Sequence, residues 1–524
     1  MLTTESRPEV ETKLFNAPVI ALLASMAVVV AGVLVSLVLS RAGSGFLAYW
    51  PLVVLVVSVG VVVTLITVVK LHAFVALMMA AIAAGLMARV GTLTNEAASQ
   101  VGILANFKPA QSHWVRAVEL STAGFGKTCW DIGVVIALAS VIGMCLLESG
   151  AADKIVRRFL RLFGEKRAGL ALLVSTYIVS IPIFFDTIFM LLVPLAKALR
   201  LRTGRDYVLY VMAICCAGAV THSMVIPHPG PAAMAEALKI DPGLTILVGL
   251  ASGVIPVAAG WVLCRWVNRR MDVPLVETPG SSLGDLEKLM DKPEEELPGL
   301  IASLTPVLLP VILIGVASSV TAMSGKGEPG VVGGWLLFLG NRNIALLIGT
   351  FISIFILMRQ RRMTFTEVGS LIGPPLETAG VVILITAAGG AFGLMLRSAG
   401  VGDAIKAAAG GYQINLILLA YLVAVVIRIA QGSATVAMLT TSGMIYPLMA
   451  GGLPYHPVYI FLSIGYGALG ISWMNDSGFW VVSRLSGFTE KQTLKSWSIL
   501  TAVLSVSGLI STLLLSWVVP GVSR

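Results

Sequence analysis

"THSMVIPHPGP" occupies residues 221–231 and follows the apolar run "DYVLYVMAICCAGAV" without a gap. Eleven residues carry two histidines, three prolines and a glycine. Proline and glycine interrupt helices, one by removing an N–H and the other through backbone entropy. Lipid offers no water to the freed backbone groups, so such a break persists only where protein or a water-filled cavity satisfies them. A second stretch, "GISWMNDSGFW" at 470–480, interrupts another apolar helix near its middle. Paired interruptions in two halves of a membrane protein point to a binding site near the bilayer midplane.

The composition fits that reading. Of 524 residues, 57% are hydrophobic and 12% charged, about half the charged share of a soluble domain. Apolar runs of about 20 residues, enough for one span, recur along the chain. The alternation expected of a porin-like barrel is absent. The fold class is therefore an all-α polytopic membrane protein. The net charge of +9 sits in short loops between spans, where it reports topology rather than nucleic-acid binding. Cys129, Cys145, Cys215, Cys216 and Cys264 fall in or beside apolar runs without metal-ligand spacing, as small buried residues do.

Single spans are expected at 17–40, 46–69, 71–90, 128–150, 242–267, 300–320, 341–358, 375–398 and 494–519. Residues 168–199 and 413–449 are too long for one crossing, since a straight helix of 32 residues measures about 48 Å against a hydrocarbon core near 30 Å. Polar or helix-breaking residues lie in the middle of each: Pro182 and Asp186, then Gln431, Gly432 and Ser433. Each is either a broken crossing or a re-entrant hairpin. Read as hairpins, they place 24 lysines and arginines on the N-terminal side against 11 opposite; read as crossings, 20 against 15. The stronger asymmetry selects the hairpins, a cytoplasmic N-terminus and an external C-terminus.

The expected architecture is about 11 transmembrane helices plus two hairpins, arranged as two inverted repeats. Residues 1–45 supply a tail and an extra helix. The first repeat covers 46–267, with hairpin 168–199 and broken helix 206–238. A cytoplasmic linker follows at 268–299. The second repeat covers 300–519, with hairpin 413–449 and broken helix 456–486. Segment 91–127 is expected along the interface. Glu148, Glu377 and Asp131 fall near span ends and are read as interfacial.

Four clusters would converge in this arrangement. The breaks bring His222, Ser223, His228 and Gly230, and Asn475, Asp476 and Ser477. The hairpin tips "FFDT" (184–187) and "QGSAT" (431–435) bring Asp186, Thr187, Gln431, Gly432, Ser433 and Thr435. Hydroxyls and amides both donate and accept hydrogen bonds, which suits a polyhydroxylated solute. Arg428 lies three residues before Gln431, and a central arginine needs a partner. It binds a substrate carboxylate or forms a structural ion pair with Asp186 or Asp476. Asp186 and Asp476 are the candidates for a coupling ion, proton or sodium, and composition does not choose between them. His222 and His228 are placed in the binding set, and a structural role is favoured for them over proton carriage.

"HSMVIPHPGP", "AQGSATVAML", "IPIFFDTIFMLLVPLAKAL", and "NDSGFW" followed by "FTEKQTLKSW" (488–497) closely resemble signatures of the gluconate permease family. The similarity runs from about residue 128 to the end. It implies an inner-membrane symporter of gluconate or related sugar acids with protons, grouped with the ion transporter superfamily. It also implies a scaffold and a moving transport domain, usually in a homodimer, that carries the site across like an elevator. Ile226 and Asp186 depart from the pattern, where relatives often have proline and glutamate.

No cofactor, metal or nucleic-acid partner is expected, only a small anion and the bilayer. The chain is not read as an enzyme. An intramembrane hydrolase lacks support: no H-E-x-x-H motif is present, and His222 and His228 would stand about 600° apart on a helix. A channel would have a lined pore rather than paired breaks. A sodium-coupled carboxylate transporter is the nearest alternative.

Overall fold

The computed structural model describes residues 17–42, 48–93, 112–275, 296–324, 330–401, 404, 415–451, 453–474 and 476–521. Among them every regular element is helical. In chain order these are α1 (Ala17–Ala42), α2 (Trp50–Thr67), α3 (Ala73–Met87), α4 (His113–Glu148), α5 (Ala151–Phe163), α6 (Ala168–Val179), α7 (Phe185–Thr203), α8 (Tyr207–Met224), α9 (Pro229–Ala237) and α10 (Pro242–Asn268). There follow α11 (Leu300–Ser324), α12 (Gly330–Leu339), α13 (Arg342–Arg361), α14 (Phe365–Ser398), α15 (Leu416–Gln431), α16 (Ala434–Ile445), α17 (Val458–Leu469), α18 (Ser477–Ser486) and α19 (Glu490–Val518). Eight helical stretches of the described residues are long and apolar enough to cross a bilayer.

Two helices are longer than the sequence suggests. α4 starts at His113, capped by Ser112, rather than near residue 128. Residues 113–127 of the expected interfacial segment are thus its first turns, and 94–111 lie outside the described residues. Asp131 is consequently buried in the middle of α4 rather than at a span end. Lys127 masks the continuation: its Nζ reaches Asp131 Oδ1 at 2.5 Å, one turn on, so two charges enter the helix as a neutral pair. α14 starts at a Thr364–Glu367 capping box and runs through Pro374 and Pro375, leaving Glu377 within the helix, exposed. Glu148 does lie at a helix end, beside Arg361. The basic segment 154–167 is mostly the helix α5, which buries Ala151, Ala152, Ile155 and Val156 and turns its charges outward.

Contacts between helix ends fall into two sets. In one, Arg361 Nε donates to Glu148 O (2.7 Å), Arg200 pairs with Asp272 (3.2 Å), and Tyr207 Oη donates to Ser486 O (2.7 Å). In the other, Trp50 Nε1 donates to Met87 O (2.8 Å), Arg342 pairs with Glu236 (3.3 Å), and His456 N donates to Pro520 O (2.7 Å). The pairs α8–α9 and α17–α18 each run from one set to the other, broken at 225–228 and 470–476. The α6–α7 pair doubles back instead, since Ala168 and Arg205 border one recess. In the α15–α16 pair, Tyr455 beyond α16 meets the Ile417 backbone at the start of α15.

The buried residues form two large cores. One is centred on α8 and α17, with α17 buried along its whole length. The other joins α2, α3 and the first turns of α4 to the C-terminal half of α14. Backbone meets backbone at their border: a Cβ on Gly443 of α16 would lie 2.4 Å from Gly393 Cα of α14. Gly443→Val is therefore expected to force the helices apart and cost about 1–3 kcal/mol. Thermal unfolding of the purified protein checks this, and an unchanged midpoint would contradict it.

Candidate functional site

Breaks and tips meet at one cavity of about 480 Å³. Phe184, Asp186 and Thr187 come from the α6–α7 tip, and Arg428, Gly432, Ser433 and Thr435 from the α15–α16 tip. His222 and Ser223 come from the end of α8, and Asp476, Ser477 and Gly478 from the break before α18. Local sequence explains each position. Gly432 ends α15 with φ +78°, a left-handed conformation that suits glycine. Ser433 then caps α16 through Val436 N, and Asp476 caps α18 through Gly478 N (3.1 Å).

Arg428 and Asp476, both buried, are the electrostatic centre. Arg428 Nη2 lies 2.5 Å from Asp476 Oδ2, and Nη1 donates to Gly432 O. The ion pair expected as the alternative to substrate binding is thus present, with Asp476 rather than Asp186 as partner. Asp476 also accepts from the Ser472 hydroxyl, which in turn accepts from Trp497 Nε1 at 2.6 Å. Trp497 stacks on Phe185 of the opposite tip, with ring centroids 5.0 Å apart. The break before α18 is therefore tied both to α15 and to the start of α7.

Asp186 is placed differently. It stands in the first turn of α7, faces the cavity, and has no hydrogen bond or ion pair among the described residues. Three buried polar atoms of the lining residues also lack partners among the described residues: His222 Nδ1, Ser223 Oγ and Arg428 Nε. Unsatisfied buried polar groups are uncommon and mark places where a ligand or water completes the bonding.

Not every expected residue reaches the cavity. His228 lies behind His222, ring centroids 4.9 Å apart, and its Nε2 is 2.8 Å from Ser180 O at the end of α6. It thereby satisfies a carbonyl that the first hairpin frees. Gly230 also stands back, packed so closely that a Cβ would meet Met438 Sδ at 2.7 Å. Asn475 and the Gln431 side chain lie outside the described residues. Conversely, the cavity takes Thr378, Val382, Ile385 and Thr386 from α14, and Trp497 and Thr501 from α19. The α14 residues share one face at helical spacing. They carry no charge or break that would single them out in an apolar helix. Trp497 lies within "FTEKQTLKSW", the one signal that could have flagged it.

The cavity thus offers one guanidinium, two carboxylates and a ring of hydroxyls in a largely apolar wall. A largely apolar wall with a few converging polar groups suits a small polar solute, and among the described residues the lining forms no nucleophile–base pair.

Residues 50–518 match the family described as GntP family permease. A gluconate permease of Pseudomonas aeruginosa is 32% identical over 474 residues, covering 90% of this chain and 98% of that protein. An uncharacterized permease of Haemophilus influenzae is 31% identical over 474 residues, covering 88% and 92%. Among solved structures, the YdaH transporter of Alcanivorax borkumensis, described as having an unusual topology, superposes with a TM-score of 0.55. It is 14% identical and covers 78% of this chain and 90% of its own, a likeness of fold alone.

Proposed function

Since the chain belongs to the GntP family of permeases, we propose that it is a secondary active transporter importing gluconate, or a related small hydroxylated monocarboxylate, together with protons. The observation that carries this reading is the meeting of both tips and both breaks at one cavity containing Arg428. Its volume of about 480 Å³ lies within the usual range for small-molecule sites. Arg428 takes the carboxylate, and Thr187, Ser223, Ser433, Thr435 and Ser477 meet the hydroxyls. Gly432 stands beside them, and Asn475, outside the described residues, is assigned to the same group, as is Gln431. Asp186 carries the proton, whereas Asp476 anchors Arg428.

The same reading gives the chain eleven crossings and two hairpins entering from opposite faces, in two inverted repeats (46–267 and 300–519). It lies in the inner membrane as a homodimer, with the N-terminus in the cytoplasm and the C-terminus outside. The cavity crosses by an elevator movement of the α8–α17 core against the other. Support for that movement comes from the separateness of the two cores and the glycine seam at Gly393 and Gly443.

The test is uptake by proteoliposomes of gluconate, other sugar acids, D-serine and dicarboxylates, first with an inward pH gradient and no sodium, then the reverse. Accumulation of sugar acids under the pH gradient alone is expected. Accumulation driven by sodium without pH dependence would give Asp186 to sodium and overturn the proton assignment.

A further inference from the structure

A second recess, of about 460 Å³, shares no lining residue with the central cavity and lies among helix ends of the first contact set. Three separate segments bring five cations to it: Lys166 and Arg167 before α6, Arg205 before α8, and Arg265 and Arg269 at the end of α10. Asp206 is the one acid in its lining, 3.6 Å from Arg205 and hydrogen-bonded by Asn268 Nδ2 at 2.7 Å. Lys166, Arg167, Arg265 and Arg269 have no acidic partner among the described residues. The N-terminus of α6 opens at the same place without a side-chain cap, so its first N–H groups and dipole add to the field. A preference for cytoplasmic charge explains cations in these loops. It does not explain their convergence on one concavity.

Leu170, Leu209 and Trp261 add apolar surface to the lining of this recess. From its edge an exposed apolar row runs back along α10 through Trp266, Val262, Val254 and Leu247. Trp266 is itself covered by the Arg270 guanidinium, 4.1 Å from the ring centroid, and tryptophan at this level marks the membrane–water boundary. A cationic recess bordered by an exposed apolar helix face matches a molecule with an oxyanion head and acyl tails. We propose that this recess binds the phosphodiester headgroup of an anionic phospholipid, its chains lying along α10. Phosphate-ester oxygens are the shared chemistry, and the apolar row selects the lipid over a free phosphate.

The experiment measures thermal stabilisation of the detergent-purified full chain by phosphatidylglycerol, phosphatidylcholine and inorganic phosphate. Only phosphatidylglycerol is expected to raise the midpoint saturably. With about a fivefold contribution per cation, Arg265→Gln with Arg269→Gln should weaken its apparent affinity about 30-fold, leaving behaviour in phosphatidylcholine unchanged. Arg359→Gln with Arg362→Gln removes two cations of the same contact set outside the recess and should leave the lipid response intact. Equal stabilisation by phosphatidylcholine or by phosphate overturns the proposal, as does an equal loss in the second double variant. The readout needs no transport, so it stands or falls apart from the transport assignment.

Discussion

Arg428→Lys is expected to lower gluconate uptake about a hundredfold in kcat/KM while leaving folded protein in the membrane. Truncating one partner of a buried charge pair costs about 2–5 kcal/mol, and a hundredfold corresponds to about 2.7 kcal/mol within that span. The guanidinium does several things at once here. It holds Asp476, holds the Gly432 carbonyl, and keeps Nε unfilled. Lysine offers a compact point charge without the planar fork, so it can retain Asp476 only by abandoning the others. Keeping the positive charge matters for the test, because a neutral residue would leave Asp476 buried and unpaired and endanger folding. Initial rates in proteoliposomes, with the unfolding midpoint as control, decide the matter. Unchanged uptake by a well-folded variant would remove Arg428 from the site.

Asp186→Asn should separate coupling from binding. Each proton crossing a gradient of one pH unit brings about 1.4 kcal/mol, enough for roughly tenfold accumulation of a monoanion at one-to-one stoichiometry. The variant retains the shape of the side chain and loses the ionisable group. Accumulation is therefore expected to fall from about tenfold to none, while substrate counterflow at equal pH continues. Asp186→Glu, which keeps an ionisable carboxyl, should retain accumulation. The contrast with Asp476 makes the prediction specific: Asp476 is bound by Arg428, Ser472 and Gly478, whereas Asp186 faces the cavity without a partner among the described residues. Gradient-driven accumulation by Asp186→Asn would contradict the assignment.

The helix interruptions were legible because proline, glycine and polar side chains break apolar runs there, and lipid tolerates that only beside a cavity. Two helix starts were obscured by compensation. Lys127 and Asp131 cancel each other within α4, and Pro374–Pro375 looks like a boundary inside α14. Sequence placed two carboxylates near Arg428 without choosing between them, because chain separation carries no distance. The structure chooses Asp476. Thr378 and Thr386 escaped notice since a threonine in a spanning helix usually bonds its own preceding turn, as Thr386 does to Val382 O at 2.7 Å. His228 and Gly230 lie in the same break as His222 but outside the cavity lining.

The proposed binding cavity requires residues 168–199 to enter and leave the membrane by one face. Leu162, on α5, and Leu201, near the end of α7, are both exposed. Cysteines introduced there, in a chain freed of its own five, can be labelled with a membrane-impermeant thiol reagent in vesicles of either orientation. Both positions should react from the same face, opposite to a cysteine at Val90. Reaction of positions 162 and 201 from opposite faces would make residues 168–199 a crossing and dissolve the meeting of the two tips.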